Sequence, residues 1–333
     1  MAPTTAFLLH EAAALHDTGW GHAEHQGRLR ALSSTVGRDM LALHGRAEQL
    51  PSTAATEEDL LRVHTRDHVE RVRRAVQQAA AREEIVALDE DTRVSAASWD
   101  AALGSLGAAL TAAEAVATGQ VRNAFVAARP PGHHATPDRA MGFCLFNSVA
   151  ATARWLQARG HAERVLIVDW DVHHGNGTQD IFWRDSSVFF LSLQLYPHWP
   201  GTGGAEEKGA GEGEGTTLNV PLEAGTGGVE YRELFEAALD RALSGFSPDF
   251  VLVSSGFDAL AGDPLGGLSL EPADFHELTR ALMTRAEEEC DGRVVALLEG
   301  GYDPKRTGLA AVAVIRALAG ITEADPTVSV NSG

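Results

Sequence analysis

Cysteine is nearly absent: Cys144 and Cys290 are the only two in 333 residues. One disulfide is the most they could form, so no disulfide framework holds the chain together. Two reduced thiols in a cytoplasmic protein are the expected state. Long apolar runs are missing too, and none approaches the ~20 residues needed to cross a bilayer. The N-terminus, "MAPTTAFLLHEAAALH", lacks the basic start and long apolar core of a signal peptide. Basic residues are scarce, 27 Lys plus Arg against 46 Asp plus Glu, for a net charge of −19. Nucleic-acid binding needs a basic footprint, and this balance argues against one. A field of this sign attracts cationic substrates, although solubility alone accounts for it. No membrane or nucleic-acid partner is therefore expected, and nothing in the sequence speaks to oligomeric state.

What is present is ordinary for a folded domain: 44% hydrophobic and 22% charged residues. Apolar runs at Ala6–Leu9, Ala124–Ala127, Val165–Val168, Val188–Leu191, Phe250–Val253 and Val294–Leu298 read as buried strands. Alanine- and leucine-rich segments of helical period begin at Arg66, Ser98, Leu145, Val229 and Pro272, and several end in glycine. Strand–helix alternation predicts a mostly parallel sheet with helices on both faces. No linker, charge block or repeat divides the chain, so one domain over 1–333 is expected, with a tail after about residue 322 polar enough to fray. The one biased segment, "GTGGAEEKGAGEGEG" from Gly201 to Gly215, predicts a flexible loop or tight turns.

Polar clusters sit where the apolar runs stop. "RPPGHH", "DWDVHHGN", "SSGFD" and "EGGYD" follow four different runs. In an open parallel sheet, ligands bind outside the carboxyl ends of the strands. Alternate residues of an extended segment face one side, so Asp171 and His173 can offer an oxygen and a nitrogen to one ion. Asp258, ending another run, is the candidate third ligand. Two carboxylates and one imidazole leave a tetrahedral zinc with an open position, as catalysis requires. A hydrolytic metal also needs a base and an acid, and His133 and His134 suit both near neutral pH. Asp169, two residues before Asp171, can orient one of them, and Asn176 can hold the other without adding charge. Tyr302, after two glycines, can donate to a developing oxyanion.

Together "RPPGHHA", "GFCLFN", "DWDVHHGNGTQD", "SSGFDALAGDPLGG" and "EGGY" resemble the zinc-dependent histone deacetylase family, its class II branch and the bacterial histone-deacetylase-like amidohydrolases above all. The likeness begins near "HDTGWGHAEHQGRLRAL" and covers nearly the whole chain. It implies a single α/β domain of the arginase–deacetylase type, with about eight strands in the central sheet. It implies one zinc on Asp171, His173 and Asp258. His133 and His134 become the paired catalytic histidines, with His134 the general base, and Tyr302 polarises the amide carbonyl. Asp169 is the buried carboxylate behind His133, and Asn176 matches the class II residue. A structural potassium is implied at Asp169, the carbonyls of Asp171, His173 and Leu193, and the Ser192 hydroxyl. His174 is structural in the pattern. Gly142 and Phe143 match one wall of an acyl-lysine tunnel. Trp199 stands where the other wall usually has phenylalanine, and Leu265 stands where a polyamine-selective member carries glutamate. Asp91 is the candidate rim residue that holds the substrate backbone.

The expected substrate is an acetylated lysine peptide or an acetylated small amine, with acetylpolyamine hydrolysis as the alternative. A ureohydrolase of the arginase type is more distant. Its two manganese ions need Asp-x-His-x-Asp and Asp-x-Asp, whereas here Gly175 follows His173-x and Asp258 is followed by Ala259 and Leu260.

Overall fold

The computed structural model describes residues 5–43 and 45–322, so the expected frayed tail lies outside the described residues. The strands are β1 (Thr5–Leu8), β2 (Ala47–Gln49), β3 (Val86–Ala87), β4 (Arg93–Val94), β5 (Asn123–Val126), β6 (Val165–Asp169), β7 (Val188–Leu195), β8 (Thr217–Leu222), β9 (Phe250–Ser255) and β10 (Val294–Leu298). Eight of them form one sheet in the order β2-β1-β5-β10-β9-β6-β7-β8, while β3 and β4 make a separate small hairpin. Every pairing in the large sheet is parallel.

The apolar runs are continuous because both faces are covered. In β6, Leu166 and Val168 belong to one core, and Val165 and Ile167 to the other. The first core is closed by α1 (Gly27–Asp39), α7 (Gly228–Leu243), α8 (Pro272–Cys290) and α9 (Pro304–Leu318). The second is closed by α2 (Glu57–Leu60), α3 (Arg66–Arg82), α4 (Ser98–Ala117) and α5 (Ser148–Ala158), with Phe182 of α6 (Asn176–Phe182). Helix starts follow side-chain chemistry. Asp303 caps α9 through the N–H groups of Lys305 and Arg306, which anchors the residue next to Tyr302. Both cysteines are buried and unpaired. Among the described residues no helix is long and apolar enough to cross a membrane.

The expected strands are present, with β7 running on to Leu195. Segment 201–215 consists of tight turns with five glycines at positive φ, and Glu207 pins it by accepting from the N–H groups of Gly203 and Gly204 at 3.0 Å. What the order of strands achieves is local: β5, β10, β9 and β6 are consecutive neighbours. Their carboxyl ends therefore bring all four polar clusters to one place.

Candidate active site

At that place Asp171, His173 and Asp258 converge, each offering a donor atom within 4.8 Å of the others, and all three are buried. His173 Nδ1 lies 3.1 Å from Asp171 Oδ1 and 3.2 Å from Asp258 Oδ2. Zinc ligands at ~2.0–2.2 Å from a tetrahedral ion are about 3.3 Å apart, so these spacings suit one metal ion. The backbone fixes the carboxylates. Asp171 accepts from the N–H groups of His173 and Gly300, and Asp258 Oδ1 from that of Val172, each at 2.9 Å. Asp258 Oδ2 is buried and makes no well-aligned hydrogen bond, its one close polar neighbour being His173 Nδ1. Such an atom is costly unless a cation meets it. Gly300 makes room for the pair: a Cβ there would collide with the Asp258 carboxylate and press on Asp171. These residues could hold a metal. Among the described residues no third carboxylate joins them for a second ion.

Beside this cluster the two adjacent histidines face different partners. His133 Nδ1 donates to Asp169 Oδ2 at 2.9 Å, and His134 Nδ1 donates to Asn176 Oδ1 at 2.9 Å. Their rings are 3.9 Å apart between centroids. Burial lowers the pKa of both, but the charges around them differ. For His133 the carboxylates of Asp169, Asp171 and Glu299 outweigh burial and raise it to about 10. For His134 burial is reinforced by His133 and His173, which push it well below its ordinary value. The surroundings thus push the two rings in opposite directions, the carboxylates favouring a charged His133 and burial with the neighbouring imidazoles favouring a neutral His134. Burial raises Asp169 to about 6, while its pairing with His133 favours the carboxylate.

A cavity of about 340 Å³ opens above these groups, lined by Asp91, His134, Gly142, Phe143, His173, His198, Trp199, Pro264, Leu265, Gly266 and Tyr302. Every residue expected to touch substrate is among them. The Trp199 ring stands edge-on to His134 at 4.6 Å, and Phe143 edge-on to Tyr302 at 5.7 Å. Phe143 has φ +68°, a left-handed backbone that a side chain rarely adopts, and follows Gly142 at φ +56°. This turn is held by Phe143 N–H donating to Thr92 Oγ1 at 3.1 Å. Of the residues expected to hold potassium, Asp169 of β6 pairs with Ser192 of β7, and Ser192 Oγ is buried without a partner.

A profile of the histone deacetylase domain matches residues 22–318. The chain belongs to the histone deacetylase family. A probable deacetylase of Archaeoglobus fulgidus is 38% identical over 298 residues, covering 90% of this chain and 81% of the other. A histone deacetylase-like amidohydrolase of Pseudomonas aeruginosa is 37% identical over 344 residues, covering 97% and 88%. In structure the chain resembles the crystallised HD domain of HDA15 with a TM-score of 0.89 at 38% identity, covering 98% and 91%. This deacetylase-family chain is accordingly a hydrolase of amide bonds.

Four groups of this deacetylase's site carried no sequence signal that singled them out. His198 stacks on His173 at 5.1 Å and lines the cavity. Glu299 sits inside the quoted "EGGYD". Its Oε2 accepts from the N–H groups of Gly132 and His133 at 2.6 and 3.2 Å, and burial raises it to about 7. Asp263 bonds the Tyr302 amide. Beneath the site Glu24 Oε1 accepts from Arg28 at 2.9 Å and Arg129 at 2.7 Å. Arg28 then donates to the carbonyls of Gly301 and Glu299 at 2.6 and 2.7 Å, and its guanidinium lies 4.8 Å over the Tyr302 ring. A charge pair so far apart in sequence as Glu24 and Arg129 has no local pattern.

Proposed function

We propose that the chain is a zinc-dependent deacylase that removes acetyl or related acyl groups from lysine side chains or similar N-acetylated amines. The observation that carries this reading is the convergence of the buried Asp171, His173 and Asp258 beneath an aromatic-walled cavity. Zinc, when bound there, supplies a Lewis acid that polarises an amide carbonyl and acidifies water. The remaining chemistry belongs to side chains. His134, kept neutral with Nε2 free, takes the proton of the attacking water. Tyr302 donates its hydroxyl hydrogen bond to the carbonyl oxygen as charge develops on it. The His133 cation, held by Asp169, stabilises that charge, and His134 returns its proton to the departing amine nitrogen. Phe143 and Trp199 flank the aliphatic stem, and Asp91 at the mouth accepts from the substrate backbone.

A structural potassium belongs to the same proposal, at Asp169, the Ser192 hydroxyl and the carbonyls of Asp171, His173 and Leu193. The partnerless Ser192 Oγ supports it. Two unpaired buried cysteines support a reducing compartment, the cytoplasm. Among substrates, the apolar Leu265 at the wall favours a lysine-like stem over a polyamine. A side-by-side assay of acetyl-lysine peptides and acetylated putrescine, cadaverine and spermidine tests this. Chelator-sensitive hydrolysis, faster on acetyl-lysine, is expected. Turnover restricted to the polyamines would reverse the substrate assignment, and turnover of none would refute the activity.

A further inference from the structure

Asp263 belongs neither to the metal cluster nor to the histidine pair, yet its carboxylate ties two walls of the cavity together. It is 9% exposed. Oδ2 accepts from the amides of Tyr302 at 2.6 Å and Asp303 at 3.2 Å, and Oδ1 accepts from the amide of Leu265 at 3.0 Å. Tyr302 and Leu265 both line the cavity. The backbone before Tyr302 does not fix itself, because Gly301 sits at φ +115°, a region that glycine enters and leaves freely. Arg28 holds the Gly301 carbonyl from one side, and Asp263 holds the next amide from the other.

We propose that Asp263 is a positioning residue for the Tyr302 hydroxyl, through one carboxylate that bonds the Tyr302 and Leu265 amides together. The inference rests on the amidase reading above. Three N–H donors meet one side chain, and only a carboxylate presents acceptors on both oxygens. An amide in its place would turn an N–H toward one of those donors. Charge also strengthens the bonds. The phenol amplifies any slack: rotating the Tyr302 backbone by about 10° sweeps its hydroxyl by about 1 Å, and misplacement of that size costs up to about 10²-fold in rate.

The test is a double-mutant cycle on the full zinc-loaded chain with an acetyl-lysine peptide, using Asp263→Ala, Tyr302→Phe and the double variant. Asp263→Ala should lower kcat by about 10- to 10²-fold with KM within about threefold. In the Tyr302→Phe background the same change should cost less than about threefold, because the hydroxyl it positions is gone. Asp263→Asn, run through the same cycle, should lie between wild type and alanine, and it carries the test if the alanine variant does not fold. A trifluoroacetyl-lysine substrate supplies a second readout. Its carbonyl is electrophilic enough to need less oxyanion support, so Asp263→Ala should lose less on it than on acetyl-lysine. Losses that multiply in the double variant, equal losses on both substrates, or an unchanged kcat would overturn the role of Asp263. A wild-type chain that hydrolyses no acylated amine would instead overturn the activity.

Discussion

Replacing Glu24 with glutamine removes one negative charge and almost no volume. Both guanidiniums that share that charge are fully sequestered: Arg28 is 1% and Arg129 0% exposed. In the wild type the two arginines outweigh the effect of burial and hold the Glu24 carboxyl below its ordinary range. Without the carboxylate, two cations remain in the interior facing carbonyl dipoles: Gly301 and Glu299 for Arg28, Ala13 and His16 for Arg129. Those bonds and the glutamine oxygen still satisfy part of each fork, so the loss is that of one partner from a buried pair, about 3–5 kcal/mol. At about 2 °C per kcal/mol for a chain of this size, Tm should fall by about 6–10 °C. Thermal unfolding followed by circular dichroism at pH 7.5 measures it. A shift under about 2 °C would show that the carbonyls alone neutralise the two arginines, and the account of this layer beneath the site would be wrong.

Three further perturbations separate the parts of the site. Tyr302→Phe keeps the ring against Phe143 and Arg28 and should lower kcat by about 10²–10³-fold with an unchanged Tm; full activity would remove the phenol from the reaction. Gly300→Ala places a methyl group on the Asp258 and Asp171 carboxylates, so zinc affinity, read by competition with a chromophoric chelator, should drop by at least about tenfold, and unaltered affinity would contradict the ligand set. His64 is held neutral, with Nδ1–H donating to the Thr136 carbonyl and Nε2 accepting from Asn147 N–H, and burial lowers it from 6.5 to about 3. The unfolded chain therefore binds a proton that the folded chain refuses, so this contribution is complete above pH 6.5 and is lost as pH falls toward 3. Unfolding free energies from urea titrations at pH 7 and pH 5 should differ by about 2 kcal/mol more in wild type than in His64→Gln; identical pH slopes would refute the burial argument.

How much of this could be read in advance depended on whether the cause was local. Val165–Val168 announces β6 because both faces of that strand are buried, and its polar exit follows from the strand ending at the ligand edge. Asp171, His173 and Asp258 were picked out for the same reason, and they lie together at that edge. β8 was not: Asn219 and Pro221 interrupt its run, and an outermost strand tolerates a proline that a central one would reject. β2, three residues at the opposite edge with two of them exposed, carries no alternation to detect. α9, buried throughout from Ala310 to Leu318, was not singled out either, although Asp303 as its cap and Pro304 in its first turn mark its start. In the site, Asp263 and His198 act through loops that meet only after folding, and Glu24 reaches Arg129 across 105 positions. The strand ends could be inferred one at a time, whereas the groups that hold them in place could not.

The most direct measurement is the metal content of the purified chain and of Asp258→Ala, by elemental analysis after exhaustive dialysis. The account predicts about one zinc per wild-type chain and almost none in the variant, with Tm of the variant close to that of metal-stripped wild type. Two manganese ions per chain, or a full complement of zinc in Asp258→Ala, would contradict it.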